Sequence, residues 1–248
     1  MSNPVLEEKY IEKFQNYDNG LEVVSTSGVA LKVMFLFAIM LVTSYLSFKL
    51  AIIGSDRASI LSMAGIIIGG IFAFATIFIR NFKLLAPLSM GYALFEGLAI
   101  GAISGWFTTA YGSGIVLNAV LASFATLFAV MFLYSTKIIR CTEKFKSVIF
   151  ASTLAIAIVY FITIIMSFIN PESTSVLMGN GLMGIGFSVV VCIVAALNFV
   201  IDFDIIDRAK EAGLTKDFEW YGAFSILVTL IWLYIEILKL LAKLNKRQ

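Results

Sequence analysis

Between Glu96 and Lys137 the chain runs for 40 residues without a charged side chain. That is twice the roughly 20 residues a helix needs to cross the hydrocarbon layer of a bilayer. The segment AYGSG at 110–114 supplies a glycine turn that divides the run in two. Elsewhere, too, the charges are gathered into short clusters between apolar runs of similar length. The sequence is 60% hydrophobic and only 14% charged, well below the charge content of an ordinary soluble domain. Barrel strands would alternate in hydropathy over about ten residues, and these runs are too long and too uniform for that. The chain therefore reads as all-α, a polytopic membrane protein built as a bundle of seven transmembrane helices.

The spans predicted on this basis are 33–53, 59–79, 85–108, 115–136, 147–169, 175–201 and 220–241. A polar segment, residues 1–29, precedes the helical domain of residues 30–248. Within it Leu6, Tyr10, Ile11 and Phe14 are spaced to line one face of a short helix. This start is acidic and polar, so it does not read as a cleavable signal. Asn170-Pro171 ends the fifth span, and the sixth opens with Gly179, Gly181, Gly184 and Gly186, a spacing suited to close helix packing. DFDIIDRAKEAGLTKDFEW is read as the longest polar loop.

In a seven-span arrangement Lys9, Lys13, Lys32, Arg80, Lys83, Lys137, Arg140, Lys144, Lys146, Arg208, Lys210 and Lys216 fall on one side. Only Lys49 and Arg57 oppose them before the tail. The positive-inside rule then places the amino terminus in the cytoplasm. Lys239, Lys243, Lys246 and Arg247 would lie outside if the last span crosses fully. Either the early spans dominate orientation, or the last segment is a re-entrant hairpin.

Several functions are excluded by what the chain lacks. It has no histidine, which removes Ser-His and Cys-His nucleophile pairs, HExxH metalloproteases and His-ligated zinc. Cys141 and Cys192 fit no metal spacing and read as reduced, structural residues. A formal charge of +2 gives no reason to expect nucleic acid as a partner. An aspartyl intramembrane protease would follow a Gly-x-Gly run with Asp, but Gly184-Ile185-Gly186 is followed by Phe187. A retinal protein would need a lysine at mid-span of the last helix, and Lys239 lies too near its end. The chain is read as a non-enzyme without a resident cofactor.

Chemistry points instead to the acids in or beside apolar segments: Glu96, Asp202, Asp204 and Glu236. An intramembrane carboxylate costs several kcal/mol unless it is protonated, paired or wetted, so it marks a functional site by default. Glu236 has Lys239 one turn on, and a local i,i+3 pair is one outcome. The other is that Glu236 meets Asp202. Two close carboxylates share a proton, and losing it creates a repulsion that a cation, calcium being the natural choice for carboxylate oxygens, can relieve. Arg80 is a candidate counter-charge or a plain interfacial anchor. Glu96 is a third member of that polar core or a separate helix-to-helix hydrogen-bonding group. Asp204, Asp207 and Arg208 read as solvated interfacial charges.

FEGLAIGAIS in the third span, VIDFDII at the end of the sixth and WLYIEILKLL in the seventh, in that order and spacing, resemble the Bax inhibitor-1 family. The likeness covers residues 30–242 and falls in a bacterial branch close to the YccA-like members. It implies a bacterial inner-membrane protein with a proton-sharing acid pair on the last two spans, here Asp202 and Glu236, linked to pH-dependent calcium leak. Glu236 departs from the family pattern, which has aspartate there. YccA-like relatives are also associated with modulation of a membrane-embedded protease, which makes a non-transporting regulator the alternative. The expected partners are thus the lipid bilayer and a small cation, or a membrane protease.

Overall fold

The computed structural model describes residues 22–79, 81–169 and 179–246. Its elements are α1 (Thr26–Ile52), α2 (Asp56–Phe78), a short 3-10 turn (Phe82–Leu84), α3 (Leu85–Tyr111), α4 (Gly114–Ser135), α5 (Glu143–Ile169), α6 (Leu182–Glu211) and α7 (Phe218–Asn245). All seven helices are long and apolar enough to cross a membrane. The shortest, α4, has 22 residues, about 33 Å at 1.5 Å per residue.

Local sequence explains the ends. Ser25 caps α1, its hydroxyl accepting from the Gly28 amide at 3.0 Å, which satisfies one of the orphan donors of the first turn. Gly112, at φ +89°, turns the chain between α3 and α4 where the long charge-free run required a break. The described part of α5 ends at Ile169, and the Asn170-Pro171 break expected there lies outside the described residues. Hydroxyls inside the spans bond back to their own helices, as Ser104 does to the Ile100 carbonyl at 2.6 Å and Ser123 to Ala119 at 2.7 Å. This keeps them satisfied without a partner helix.

Two expectations require correction. α6 begins at Leu182 and continues to Glu211, ten residues past the predicted end of the sixth span. Most of the supposed polar loop is therefore helix. Nothing in IDFDIIDRAKE breaks a helix, and an i,i+4 ion pair between Arg208 and Asp204, at 2.7 Å, supports the extension. The turn comes only at Gly213, whose φ is +67°. Of the glycines at the start of the sixth span, Gly181 and Gly186 are not packing positions: a Cβ at either would meet nothing within 4 Å.

Close packing by glycine occurs in α3 instead. A Cβ built at Gly97 would run into Thr43 and the Met40 carbonyl, and one at Gly101 into the Ser44 carbonyl of α1. Small residues at this spacing let two helix backbones approach, which is how helices associate where lipid removes the hydrophobic drive. α7 is unbroken, without the mid-segment turn a re-entrant hairpin needs.

The chain forms two compact units. The first comprises Met1–Trp106 with Asp202–Val228, and the second Phe107–Ile201 with Thr229–Gln248. In the first, Trp220 meets Phe35 edge-on at 6.0 Å and Phe224 meets Tyr92 at 5.0 Å, seating the start of α7 on α1 and α3. In the second, Ile156, Val191 and Val194 form a core against Tyr160, Phe187 and Trp232. The spans differ in burial: within an 18-residue apolar stretch of each, 56% is buried in α7 and 50% in the span Phe82–Tyr111, against 11% in α5. Side chains that do chemistry are therefore expected on α7 and α3, while the large exposed apolar side chains of α1, α2 and α5, such as Val42, Phe74 and Phe161, suit contact with lipid tails.

Gly101→Val should destabilise the protein by about 1–3 kcal/mol through overpacking against α1. Gly70→Ala, where a Cβ meets nothing within 4 Å, should be neutral or slightly stabilising. Thermal unfolding in detergent checks both, and equal melting of Gly101→Val and the native chain would contradict the close approach.

Candidate functional site

Glu236 is 2% exposed on the inner face of α7, within the second unit. Its Oε2 accepts from the Tyr160 hydroxyl of α5 at 2.8 Å, and its Oε1 accepts from Lys239 Nζ at 2.6 Å. The same ammonium donates to the Tyr160 hydroxyl at 3.2 Å and stands 4.5 Å over the Tyr160 ring. The local i,i+3 pair is thus present, and a tyrosine 76 residues away completes it. One turn further on, Lys243 donates to the Gly184 carbonyl at 3.0 Å and to Ser188 at 2.8 Å, joining α7 to α6. These groups border a cavity of about 170 Å³, also lined by Asn180, Phe187 and Tyr111. By ordinary liquid volume that is room for a handful of waters. Two ammoniums and one carboxylate face it, so Glu236 is compensated internally rather than waiting for an external ion.

The other acids lie in the first unit. Asp202 is 6% exposed on α6 and accepts from the Ser225 hydroxyl of α7. Tyr221, one turn before Ser225, is within electrostatic range of it. Asp202 belongs to the first unit and Glu236 to the second, and each has hydrogen-bond donors of its own. Asp204 is paired with Arg208. Glu96, on α3, points toward α2, where a Cβ at Gly69 would come within 2.8 Å of its Oε2, and Tyr92 lies in range of its charge. Arg80 and the apolar face of Leu6, Tyr10, Ile11 and Phe14 lie outside the described residues. Among the described residues no group of three or more His, Cys, Asp or Glu could hold a metal ion, so the calcium contact proposed for Asp202 and Glu236 has no ready-made cage. Cys141 and Cys192 are not joined in a disulfide.

One charged site was not anticipated. Glu219, in the first turn of α7, is 1% exposed. It accepts from the Ser25 amide and hydroxyl, each at 2.9 Å, and is paired with Lys32 of α1. Lys32 also stands 5.3 Å over the Trp220 ring. Just before α1, Val23 pairs with Thr215, Val24 N donates to the Leu214 carbonyl at 3.0 Å, and Lys216 N donates to the Glu22 carbonyl at 2.8 Å. Residues 22–25 are thereby laced to the α6–α7 turn. The sequence offers no local signal for this, because the partners are 187 and 194 residues apart.

Lys32→Met leaves Glu219 buried without its cation and should cost about 3–5 kcal/mol, whereas Lys32→Met with Glu219→Gln should recover most of that loss. Unfolding of the two variants in detergent checks this; a double variant no more stable than the single one would mean that the pair is not what holds this corner.

Asp202 and Glu236 are buried on α6 and α7, and Glu96 is half-buried on α3. The profile of the family described as Bax inhibitor 1 like matches residues 3–246. No curated protein matches the chain. The match takes in every helix described above, and this integral membrane protein belongs to the Bax inhibitor 1 like family.

Proposed function

We propose that this chain is a pH-sensitive cation leak pathway or exchanger of a bacterial inner membrane, with its amino terminus in the cytoplasm and Asp202 and Glu236 as its proton-responsive groups. The observation that carries the reading is that two carboxylates, 6% and 2% exposed, sit within apolar spans on adjacent helices of the chain. Both are held by side-chain donors: Ser225 for Asp202, Tyr160 and Lys239 for Glu236. Adding a proton to either acid removes a charge and an acceptor from the interior, which weakens bonds that tie α7 to α6 and α5. No shared proton is required, because each acid has donors of its own. The association of this family with ion leak points the same way, and calcium is the first ion to test.

Proteoliposomes loaded with a calcium indicator, compared between about pH 6 and about pH 8, provide the test. Flux should depend on pH in the native chain, and Asp202→Asn or Glu236→Gln should flatten that dependence. Flux no greater than that of empty vesicles, or a pH response indifferent to both substitutions, would exclude this reading.

A second reading, a non-transporting regulator of a membrane-embedded protease, is favoured by one feature. Residues 22–25 are pinned to the α6–α7 turn, which fixes where the preceding segment leaves the helical domain. Deleting residues 1–21 keeps that anchor and should abolish regulation, while Asp202→Asn and Glu236→Gln leave it intact. Loss of regulation in the acid variants alone would refute the second reading.

A further inference from the structure

The ammonium of Lys239 makes three contacts at once: Glu236 Oε1 at 2.6 Å, the Tyr160 hydroxyl at 3.2 Å and the Tyr160 ring at 4.5 Å. A carboxylate, a phenol oxygen and a ring face together make a seat for a small, weakly hydrated cation. The occupant happens to be tethered to the same helix, one turn away. We infer that Lys239 is the built-in occupant of a monovalent-cation seat at Glu236, and that its tether closes the seat to free cations.

The surroundings favour this class of ion. The Lys239 side chain is 34% exposed while its partner Glu236 is 2% exposed. The ammonium therefore lies at the opening between the buried acid and the cavity lined by Asn180, Ser188 and Lys243. A four-carbon stem can swing the charge out of the seat without moving the helix. One carboxylate faces the seat, where a divalent ion would want several oxygens, and the second ammonium bordering the cavity, Lys243, adds repulsion that a divalent ion feels twice. Among the described residues, the titratable groups that face Glu236 are Lys239, Tyr160, Cys192 and Lys243, and none of these is a second acid that would compete for the ion. Ammonium, methylammonium and potassium are the matching cations. Lys239 is thus a specificity-determining residue that keeps a high-affinity site closed. Occupancy of the seat is independent of transport; only its consequence for flux rests on the pathway proposed above.

The test is thermal unfolding of the full chain in detergent, titrated with methylammonium chloride and with tetramethylammonium chloride at matched ionic strength. Lys239→Ala should melt below the native protein. Methylammonium should raise its Tm by about 2–4 °C on reaching saturation, and the bulkier tetramethylammonium should not. Lys239→Ala with Glu236→Gln, and the native chain, should show no selective response. Should the alanine variant fail to fold, Lys239→Gln carries the same titration. Equal effects of the two salts, or a selective response that survives Glu236→Gln, would overturn the inference. Flux separates it from the function proposed above. Methylammonium-selective stabilisation with no flux above empty vesicles would keep the seat and sink the pathway. A pH-dependent flux in the native chain with no selective stabilisation in either variant would do the reverse.

Discussion

A carboxylate on a helix surrounded by hydrocarbon has to find its counter-charge within the protein, and the last helix meets this requirement twice. Near its start Glu219 is held by Lys32 and the cap of α1; toward its end Glu236 is held by Lys239 and Tyr160. Bonds of this kind are strong because the interior excludes competing water, and costly to break singly for the same reason. They fix how α7 is seated on α1 in one unit and on α5 in the other. α7 also carries Ser225, which donates to Asp202, and Lys243, which donates to the Gly184 carbonyl and to Ser188; its aromatic and aliphatic packing lacks a charge to respond to protons or salt.

This division of labour connects composition to function. α5, with little protein cover, presents a largely apolar surface and turns polar groups toward its neighbours, the Tyr160 hydroxyl to Glu236 and the Thr153 hydroxyl to Asn198. α3 and α1 approach through glycine and leave no room for adjustment. Rigid seams of this type do not deform by degrees. In the proposed function, a response to pH or to ions begins at the acids on α6 and α7 and the groups that hold them. Glu236 is bonded through both oxygens.

Much of the fold is legible in the amino acids. Charge-free runs of spanning length give the number and order of the described helices, and Gly112 marks a break where the chain does turn. Polarity alone hides the overshoot of α6, because a helix leaving the membrane is polar too, and only a breaker such as Gly213 ends it. Close packing by glycine is found in the third span, where glycines recur at four-residue spacing, and not at Gly181 or Gly186 of the sixth. For the site, burial of Asp202 and Glu236 and the Lys239 partnership follow from position along a helix. Tyr160, Ser225 and the Lys32–Glu219 pair could not be read, since their partners are far away in sequence and depend on which helix faces which.

The central claim is that Asp202 and Glu236 take up protons as the pH falls. Infrared difference spectra of the reconstituted protein between about pH 8 and about pH 6 read this directly, through the C=O band of the protonated carboxyl group. The account predicts a pH-dependent band that loses part of its intensity in Asp202→Asn and part in Glu236→Gln. A band unchanged in both variants, or one removed entirely by Glu96→Gln, would contradict it.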